Sequence, residues 1–191
     1  MNPVPETTIG VTPSMGTLSG GKPANAELNP PHGCRLVSLL VDGWQREQLR
    51  VLSRDWPSWE LTPRQLCDVE LLLNGTFSPL EGFLNRAEWE SVCKSMRLRN
   101  GLLWPILINL DVPEGVAQKV GPGSKLALRD PEGVLLAVLH VDDVWLADRR
   151  AEAEAVYGTP SAEHPSVAFL LQNTNSWYLG GRVEGVQLPT H

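Results

Sequence analysis

Four acidic residues in the last third of the chain are candidates for metal binding or proton transfer. Asp142 and Asp143 end an apolar run, and Asp148 and Glu152 follow soon after. Carboxylates grouped in this way can bind magnesium or act as general acids and bases. Acidic residues also collect where a strand ends and a helix begins, because negative charge complements the dipole at a helix N-terminus. We favour this second interpretation, and magnesium or acid-base chemistry is the alternative.

A phosphate-binding loop is a second candidate. The segment GTLSGGKP, residues 16–23, supplies both glycines and the lysine of the pattern Gly-x-x-x-x-Gly-Lys-Ser/Thr. Pro23 stands where the pattern needs a magnesium-binding hydroxyl, and no apolar strand leads into Gly16. Without a strand and a helix, backbone amides are not held around a phosphate. The segment is therefore predicted to be part of a flexible tail.

The histidines, cysteines and serines lack the spacing of a metal site or an activated nucleophile. No two of His32, His140, His164 and His191 lie at metal-binding spacing on one element. His140 lies in an apolar strand pattern, which favours a hydrogen-bonded structural histidine. There is neither a nucleophile elbow nor a Cys-x-x-Cys pair. Residue spacing alone thus indicates no catalytic machinery.

Composition restricts the class of protein. The chain has 16 basic and 22 acidic residues and a pI near 5.2, which argues against a surface built for nucleic acid. The seven tryptophans lie mostly among apolar neighbours and are interpreted as packing residues. Three cysteines suit neither a disulfide framework nor a metal site, so a reducing cytoplasm is expected. No apolar run is long enough to span a bilayer, and we predict a soluble, cytoplasmic protein without membrane contact.

The elements that position these groups are predicted to begin after a tail. Residues 1–33 are rich in Pro, Gly and Ser and are predicted to be disordered, whereas residues 34–191 are predicted to form one domain. Three helices come first. Thr62 and Gln65 can form a capping box around Pro63 in the second helix, and Asn85 can cap the third. The helical segments are DGWQREQLRVLSRDW, LTPRQLCDVELLL and RAEWESVCKSM.

Strands are predicted beyond Gly101. A DPEG turn joins SKLALRD to VLLAVLHVDDVWL as a hairpin, and LLWPILINLDV is predicted to be a strand. SWYLGGRVEGVQL is predicted to be a strand with a bulge at Gly180–Gly181. DRRAEAEAVYG indicates a helix ended by Gly158, and SVAFLLQN fits either a helix or a buried strand. Helices followed by a small mixed sheet indicate the α+β class, with strands curling into a barrel-like sheet.

The segment NGTFSPLEGFL, residues 74–84, combines turn residues with large apolar side chains. Asn74–Gly75 is predicted to end the second helix, and Gly82 to permit a second sharp turn. Surface turns usually avoid large apolar side chains, so the segment is predicted to pack between elements and not to bind substrate. The side chains expected to hold it on the core are Phe77, Leu80 and Phe83.

Five blocks of sequence follow one another along residues 30–191. They are PPHGCRLVSLL, LTPRQLCDVELLLNGTFSPLEGFL, RLRNGLLWPILINLDV, AEAVYGTPSAEHPSV and YLGGRVEGVQLP. Together, and in this order, they resemble the amino-terminal domain of the ATP sulfurylase family, also called sulfate adenylyltransferase. The resemblance implies a PUA-like domain, with a small curved mixed β-sheet or pseudo-barrel and flanking helices, that precedes a catalytic domain.

The same resemblance implies where the chemistry takes place. In this family sulfate attacks the α-phosphate of ATP, and the catalytic domain carries Gln-x-Arg-Asn-Pro and His-x-x-His. Neither motif occurs in the sequence, and Gln172–Asn175 lacks an arginine to hold sulfate or phosphate oxygens. Gly181-Arg182-Val183 likewise lacks the acid of the family's Gly-Arg-Asp. We therefore expect no catalytic, cofactor-binding or metal-ligating residue in this chain, and expect ATP and sulfate to bind a catalytic domain outside it.

Three functions compete at this level. The first is a non-catalytic domain that works only with an ATP sulfurylase catalytic domain or subunit, with self-association left open. The second is a stand-alone PUA-like module that binds RNA or protein, although the acidic composition argues against nucleic acid. The third is an inactive remnant that still folds.

Overall fold

The computed structural model describes residues 29–190. Residues 1–28 of the predicted tail, which include GTLSGGKP, therefore lie outside the described residues. His191 lies outside them as well. The predicted domain boundary at Cys34 stays a prediction. A short 3-10 helix, His32–Cys34, opens the described part of the chain.

A mixed sheet of six strands lies at the centre of the described domain. The strands are β1 (Ser58–Glu60), β2 (Gly82–Phe83), β3 (Leu110–Val112), β4 (Lys125–Arg129), β5 (Leu135–Leu146) and β6 (Trp177–Gly185). Their order is β1-β4-β5-β6-β2, and β3 also pairs with β6. Only the β1–β4 pair is parallel; the other described pairs are antiparallel. The sheet does not close into a barrel, and the α+β class and PUA-like fold are confirmed.

Six α-helices flank this sheet in the described residues. They are α1 (Gly43–Leu52), α2 (Pro63–Leu73), α3 (Arg86–Ser95), α4 (Glu114–Ala117), α5 (Arg149–Tyr157) and α6 (Pro165–Asn173). The predicted capping box of α2 is present, with Thr62 and Gln65 bonded to each other's backbone N–H. Asn85 caps α3 as predicted, since its side chain accepts from the Glu88 N–H. α5 ends at Gly158 in the left-handed conformation, and SVAFLLQN is helical.

The prediction of one long strand in LLWPILINLDV was wrong. Only its last three residues form β3, and Leu103 makes an isolated bridge with Arg97. Pro105 interrupts the segment, and a proline has no N–H to donate to a ladder. The apolar side chains are nevertheless buried, because Trp104, Ile108, Leu110 and Val112 belong to the main core.

The predicted bulge lies at the right place but on the opposite strand. Val141 pairs with Gly181 and Asp143 pairs with Gly180, so Asp142 of β5 is the extra residue. Gly181 has a φ of 152°, and a Cβ there would lie 1.9 Å from the His140 carbonyl oxygen. Gly181 is thus needed because the backbones of β5 and β6 approach closely, and Gly180 because the backbone of Leu84 and Asn85 lies against it, while the extra residue is on β5.

The sheet is covered on both faces. In β4, Leu126 and Leu128 belong to the main core, whereas Ala127 between them belongs to a second cluster with Leu49 of α1. Successive residues of a strand point to opposite faces, so α1 and α2 cover different faces of the sheet. This explains why the centre of β4, residues 126–128, and the first five residues of β5 are continuously apolar and buried.

The segment NGTFSPLEGFL packs on the core as predicted. Asn74 ends α2, Gly75 follows with a φ of 84°, and Leu80 and Phe83 are buried. Phe77 packs against the main core but is only partly buried, with its ring edge-on to Trp104. The prediction of a second turn at Gly82 was wrong, because Gly82 lies in β2 and pairs with Arg182.

Replacement of the two phenylalanines should therefore have unequal effects. Phe83→Ala removes a ring that is 3% exposed and should cost about 3 to 5 kcal/mol of unfolding free energy. Phe77→Ala should cost less than about 3 kcal/mol, because part of its ring already contacts water. Urea denaturation of both variants measures the difference. Equal losses would contradict the burial that distinguishes the two rings.

Candidate functional site

A pocket of about 430 Å³ opens beside the N-terminal half of α2. We call it the Glu152 pocket. It is lined by α2, the segment before β3, α5, α6 and β6. Its polar and ionisable lining side chains include Arg64, Asp68, Asn109, Asp111, Glu152 and Tyr178.

The cap of α2 determines where its polar side chains lie. The amide oxygen of Gln65 accepts from the Thr62 N–H at 3.0 Å and from Trp59 Nε1 at 2.9 Å. The amide nitrogen of Gln65 donates to Asp111 O at 2.7 Å and to Asp111 Oδ1 at 2.9 Å. Gln65 is fully buried, so this one side chain fixes the start of α2 against β3.

The carboxylate of Asp111 is saturated with hydrogen bonds. Besides Gln65, its Oδ1 accepts from Arg64 Nη2, and its Oδ2 accepts from Asn175 N at 2.8 Å and Asn175 Nδ2 at 3.1 Å. Asp111 is 4% exposed, and a buried carboxylate needs such partners to offset the loss of hydration. Arg64 Nη1 also donates to Asp68 Oδ2 at 2.7 Å, so its guanidinium is held between two carboxylates.

Glu152 is the second buried carboxyl group of the pocket. It projects from the first turn of α5, and its Oε2 accepts from Trp89 Nε1 at 3.2 Å and from the Tyr178 hydroxyl at 2.9 Å. Burial raises the pKa of Glu152, and the two hydrogen bonds offset only part of this effect. Burial also raises the pKa of Asp68, from 3.8 to about 6, although the positive charge of Arg64 opposes this.

The acidic residues considered as an alternative magnesium or acid-base site form no such site among the described residues. Asp148 caps α5 by accepting from the N–H groups of Arg150 and Ala151, which confirms the helix-terminus interpretation at this residue. Asp143 accepts from the Arg86 N–H at 3.1 Å, and Asp142 is the exposed bulge residue. Glu152, in contrast to these three residues, lines the pocket. Among the described residues, no group of three or more His, Cys, Asp or Glu side chains could hold a metal ion.

The histidines and tryptophans mainly serve the structure. His140 is hydrogen-bonded to Glu184 Oε2 at 2.7 Å, as predicted for a structural histidine. His164 precedes α6 and stacks on Tyr157 at 5.3 Å between ring centroids. Most tryptophans pack as predicted: Trp89, Trp104 and Trp145 are buried and Trp56, Trp59 and Trp177 are partly buried in the clusters, whereas Trp44 is exposed. The three cysteines are free.

Only part of the Glu152 pocket could be predicted from the sequence. Arg64 and Asp68 stand four residues apart, which places them on one face of a helix. Asp111 and Glu152 were missed as partners of this pocket, because their contacts join residues that are far apart in the chain. For Asp111, the one available signal was an acid that follows an apolar run.

Comparison with known proteins places the domain in a family. The family model described as the PUA-like domain matches residues 29–188. The chain belongs to the PUA-like domain family. This match agrees with the mixed sheet and flanking helices described above.

Its relatives with known names are larger enzymes. The sulfate adenylyltransferase of Saccharomyces cerevisiae is 43% identical over 165 residues, and that of Eremothecium gossypii is 42% identical over 162 residues. In both cases the match covers 84% of this chain but only 32% of the relative. The chain thus spans about a third of the length of these relatives and corresponds to their N-terminal, PUA-like part.

A solved structure shows the same relation. The structure titled "Hexameric APS kinase from Thiobacillus denitrificans" superimposes with a TM-score of 0.67 at 34% identity. The superposition covers 86% of this chain and 28% of that protein. Within the described part of this PUA-like chain, no helix has the length and apolar character needed to cross a membrane.

Loss of the Gln65 amide should destabilise this PUA-like domain strongly. Gln65→Leu keeps the bulk of the side chain but leaves Trp59 Nε1, the Thr62 N–H and the Asp111 carbonyl without their partner. We expect a loss of at least about 1 to 3 kcal/mol, because the buried Asp111 carbonyl would be unpaired, and the part-buried Trp59 and Thr62 donors add a smaller cost. Gln118→Leu, at an exposed position, is the control and should change stability by less than about 0.5 kcal/mol. Equal stability of the two variants in urea would contradict the bridging role of Gln65.

The raised pKa of Asp68 predicts a pH-dependent stability difference. A carboxyl group with a higher pKa in the folded state stabilises the fold most while it is protonated, and this contribution is lost as pH rises through the folded pKa. For Asp68 the window runs from pH 3.8 to about 6. The stability of the wild type relative to Asp68→Asn should therefore fall by about 3 kcal/mol across this window. Urea denaturation at several pH values measures this difference, and a difference that stays constant would contradict the raised pKa.

Proposed function

We propose that this chain acts as the non-catalytic PUA-like domain of a sulfate adenylyltransferase. In this proposal it contributes to the conversion of ATP and sulfate into adenosine 5′-phosphosulfate and pyrophosphate only together with a catalytic domain or subunit. The observation that carries the proposal is the 43% identity to the N-terminal third of the Saccharomyces cerevisiae enzyme. The remaining two thirds of that enzyme have no counterpart in the match.

The electrostatics of the Glu152 pocket support a non-catalytic role. Adenylyl transfer needs concentrated positive charge or metal ions around the phosphates and sulfate. The pocket instead contains three carboxyl groups, Asp68, Asp111 and Glu152, and its arginine, Arg64, is already paired with two of them. Such a site repels a sulfate or triphosphate group.

The partners follow from the same proposal. The catalytic domain or subunit is the first partner, because the named relatives are about three times as long as the matched region. Self-association of the assembled protein is the second, and it draws support from the structural neighbour whose title calls it hexameric. The cytoplasm, where ATP and sulfate are available together, is the proposed location.

A domain exchange tests the proposal. In the Saccharomyces cerevisiae enzyme, the segment that matches this chain is replaced by residues 29–188, and ATP formation from adenosine 5′-phosphosulfate and pyrophosphate is measured by luminescence. We expect the exchanged enzyme to be active, with a rate at least about tenfold above that of an enzyme lacking the segment. The isolated chain should form no ATP above background.

The controls separate the parts of the proposal. Exchange of the same segment carrying Gln65→Leu should lower activity through loss of folding, which thermal unfolding of the exchanged enzyme would register. Rapid ATP formation by the isolated chain would show that it is catalytic. An inactive but folded exchanged enzyme would show that this domain does not serve sulfate activation.

A further inference from the structure

Two acceptor atoms of the Glu152 pocket are left without hydrogen bonds. Asn109 lines the pocket and is 6% exposed, and its Oδ1 is buried with no hydrogen-bond partner among the described residues. Glu152 is also 6% exposed and uses Oε2 for both Trp89 and Tyr178, whereas its Oε1 accepts no hydrogen bond from the described residues. Buried acceptors normally have a partner, because an unpaired one costs about 1 to 3 kcal/mol. Asn109 Oδ1 therefore points to a missing donor, and Glu152 Oε1 is a second acceptor in the same pocket that is free to accept a hydrogen bond.

The charges around the pocket select the kind of donor. Asp68, Asp111 and Glu152 contribute carboxyl groups, and Arg64 contributes the one cation that lines the pocket. Nearby Arg149 is directed elsewhere, with Nη1 donating to the Leu170 and Thr174 carbonyl oxygens. The hydroxyls of Tyr157 and Tyr178 complete the titratable groups, and burial raises the pKa of both. An additional cation is therefore attracted, whereas an anion is repelled.

The mouth of the pocket is apolar and aromatic. Four large side chains there are between 39% and 48% exposed: Ile106, Val156, Tyr157 and Phe169. Apolar side chains grouped around a concave site are typical of ligand-binding pockets, and a volume of about 430 Å³ lies within the usual range for them. The aromatic faces of Tyr157 and Phe169 can also attract a positive charge. The mouth thus suits a flat apolar body attached to a cationic group.

We propose that the Glu152 pocket binds one ammonium or guanidinium group carried on an apolar body, with Glu152 Oε1 and Asn109 Oδ1 as its acceptors. The cationic group supplies the donors that both atoms lack, and the apolar body covers Ile106 and Phe169. Arg64 is an example of such binding beside this site, because its guanidinium group is held between the carboxylates of Asp68 and Asp111. The shared chemistry fits a free organic amine and equally a lysine or arginine side chain presented on an apolar protein surface.

Small probes of matched shape test the charge requirement. The purified chain is titrated with 2-phenylethylammonium, neutral 2-phenylethanol and anionic phenylacetate, and binding is followed by NMR. The indole N–H signal of Trp89 reports directly on the pocket, because this group donates to Glu152. We expect the ammonium probe to bind at least about tenfold more tightly than the alcohol, and phenylacetate not to bind. Equal binding of the neutral probe, or no binding of the cation, would overturn the proposal.

Two substitutions test the acceptors. Glu152→Gln can still accept from Trp89 and Tyr178 through its amide oxygen, so the fold is retained while the charge and one acceptor are lost. It should weaken binding of the ammonium probe at least about tenfold, and Asn109→Ala should weaken it as well. Glu184→Gln, which changes a carboxylate outside the pocket, is the matched control and should bind like the wild type. Unchanged binding by folded Glu152→Gln would overturn the proposal.

A peptide distinguishes the two sources of the cation. Acetyl-Leu-Arg-Leu-amide presents a guanidinium between apolar side chains, as a partner protein would. Binding of this peptide more tightly than the amine, with the same dependence on Glu152, assigns the pocket to a protein side chain. Tighter binding of the amine assigns it to a free metabolite. If the peptide binds Glu152→Gln as tightly as it binds the wild type, the proposal is wrong for a free amine and for a protein side chain alike.

Discussion

The side-chain amide of Gln65 is the contact on which the arrangement of this domain depends most. Its oxygen closes the cap of α2 and accepts from Trp59, and its nitrogen reaches the backbone and side chain of Asp111. One buried group therefore joins β1 and α2, which are neighbours in sequence, to β3, which lies 46 residues further along the chain. A polar group buried this deeply stabilises a fold only when all its bonds are made, so it also restricts how these elements can be placed. The Glu152 pocket opens where this arrangement brings α2 and β3 together.

The sheet adds a second constraint, through close approach of its backbones. At the bulge, β5 carries an extra residue, and Gly181 of β6 lies against the His140 carbonyl. A bulge increases the local twist and bends the strand that carries it. β5 continues past the bulge to Trp145, which packs with Trp89 and Tyr178, and these two residues hold Glu152. The position of the carboxyl group thus depends on a backbone irregularity in a neighbouring strand.

Local patterns in the sequence predicted local structure, but they could not predict contacts between residues that are distant in the chain. The caps at Thr62 and Asn85 were predictable because donor and acceptor lie three residues apart. The bonds from Gln65 to Asp111 cross 46 positions, and no spacing rule indicates such a pair. LLWPILINLDV has the composition of a strand, but backbone pairing decides where a strand forms, and Pro105 cannot take part in it. Glu152 looked like an ordinary acid at a helix start until the fold placed Trp89 and Tyr178 around it.

The pairing of β1 limits the ways in which copies of this domain can associate. Among the described residues, β1 lies at one edge of the sheet and pairs with β4. It has three residues and ends in Glu60. A short, charged edge strand is a poor template for adding a strand from another chain. At this edge, association through side-chain surfaces, such as the exposed face of α1 that carries Trp44 and Val51, is favoured over strand addition, and each subunit would keep its own sheet. Such an assembly can separate into intact, folded subunits without breaking a single backbone ladder.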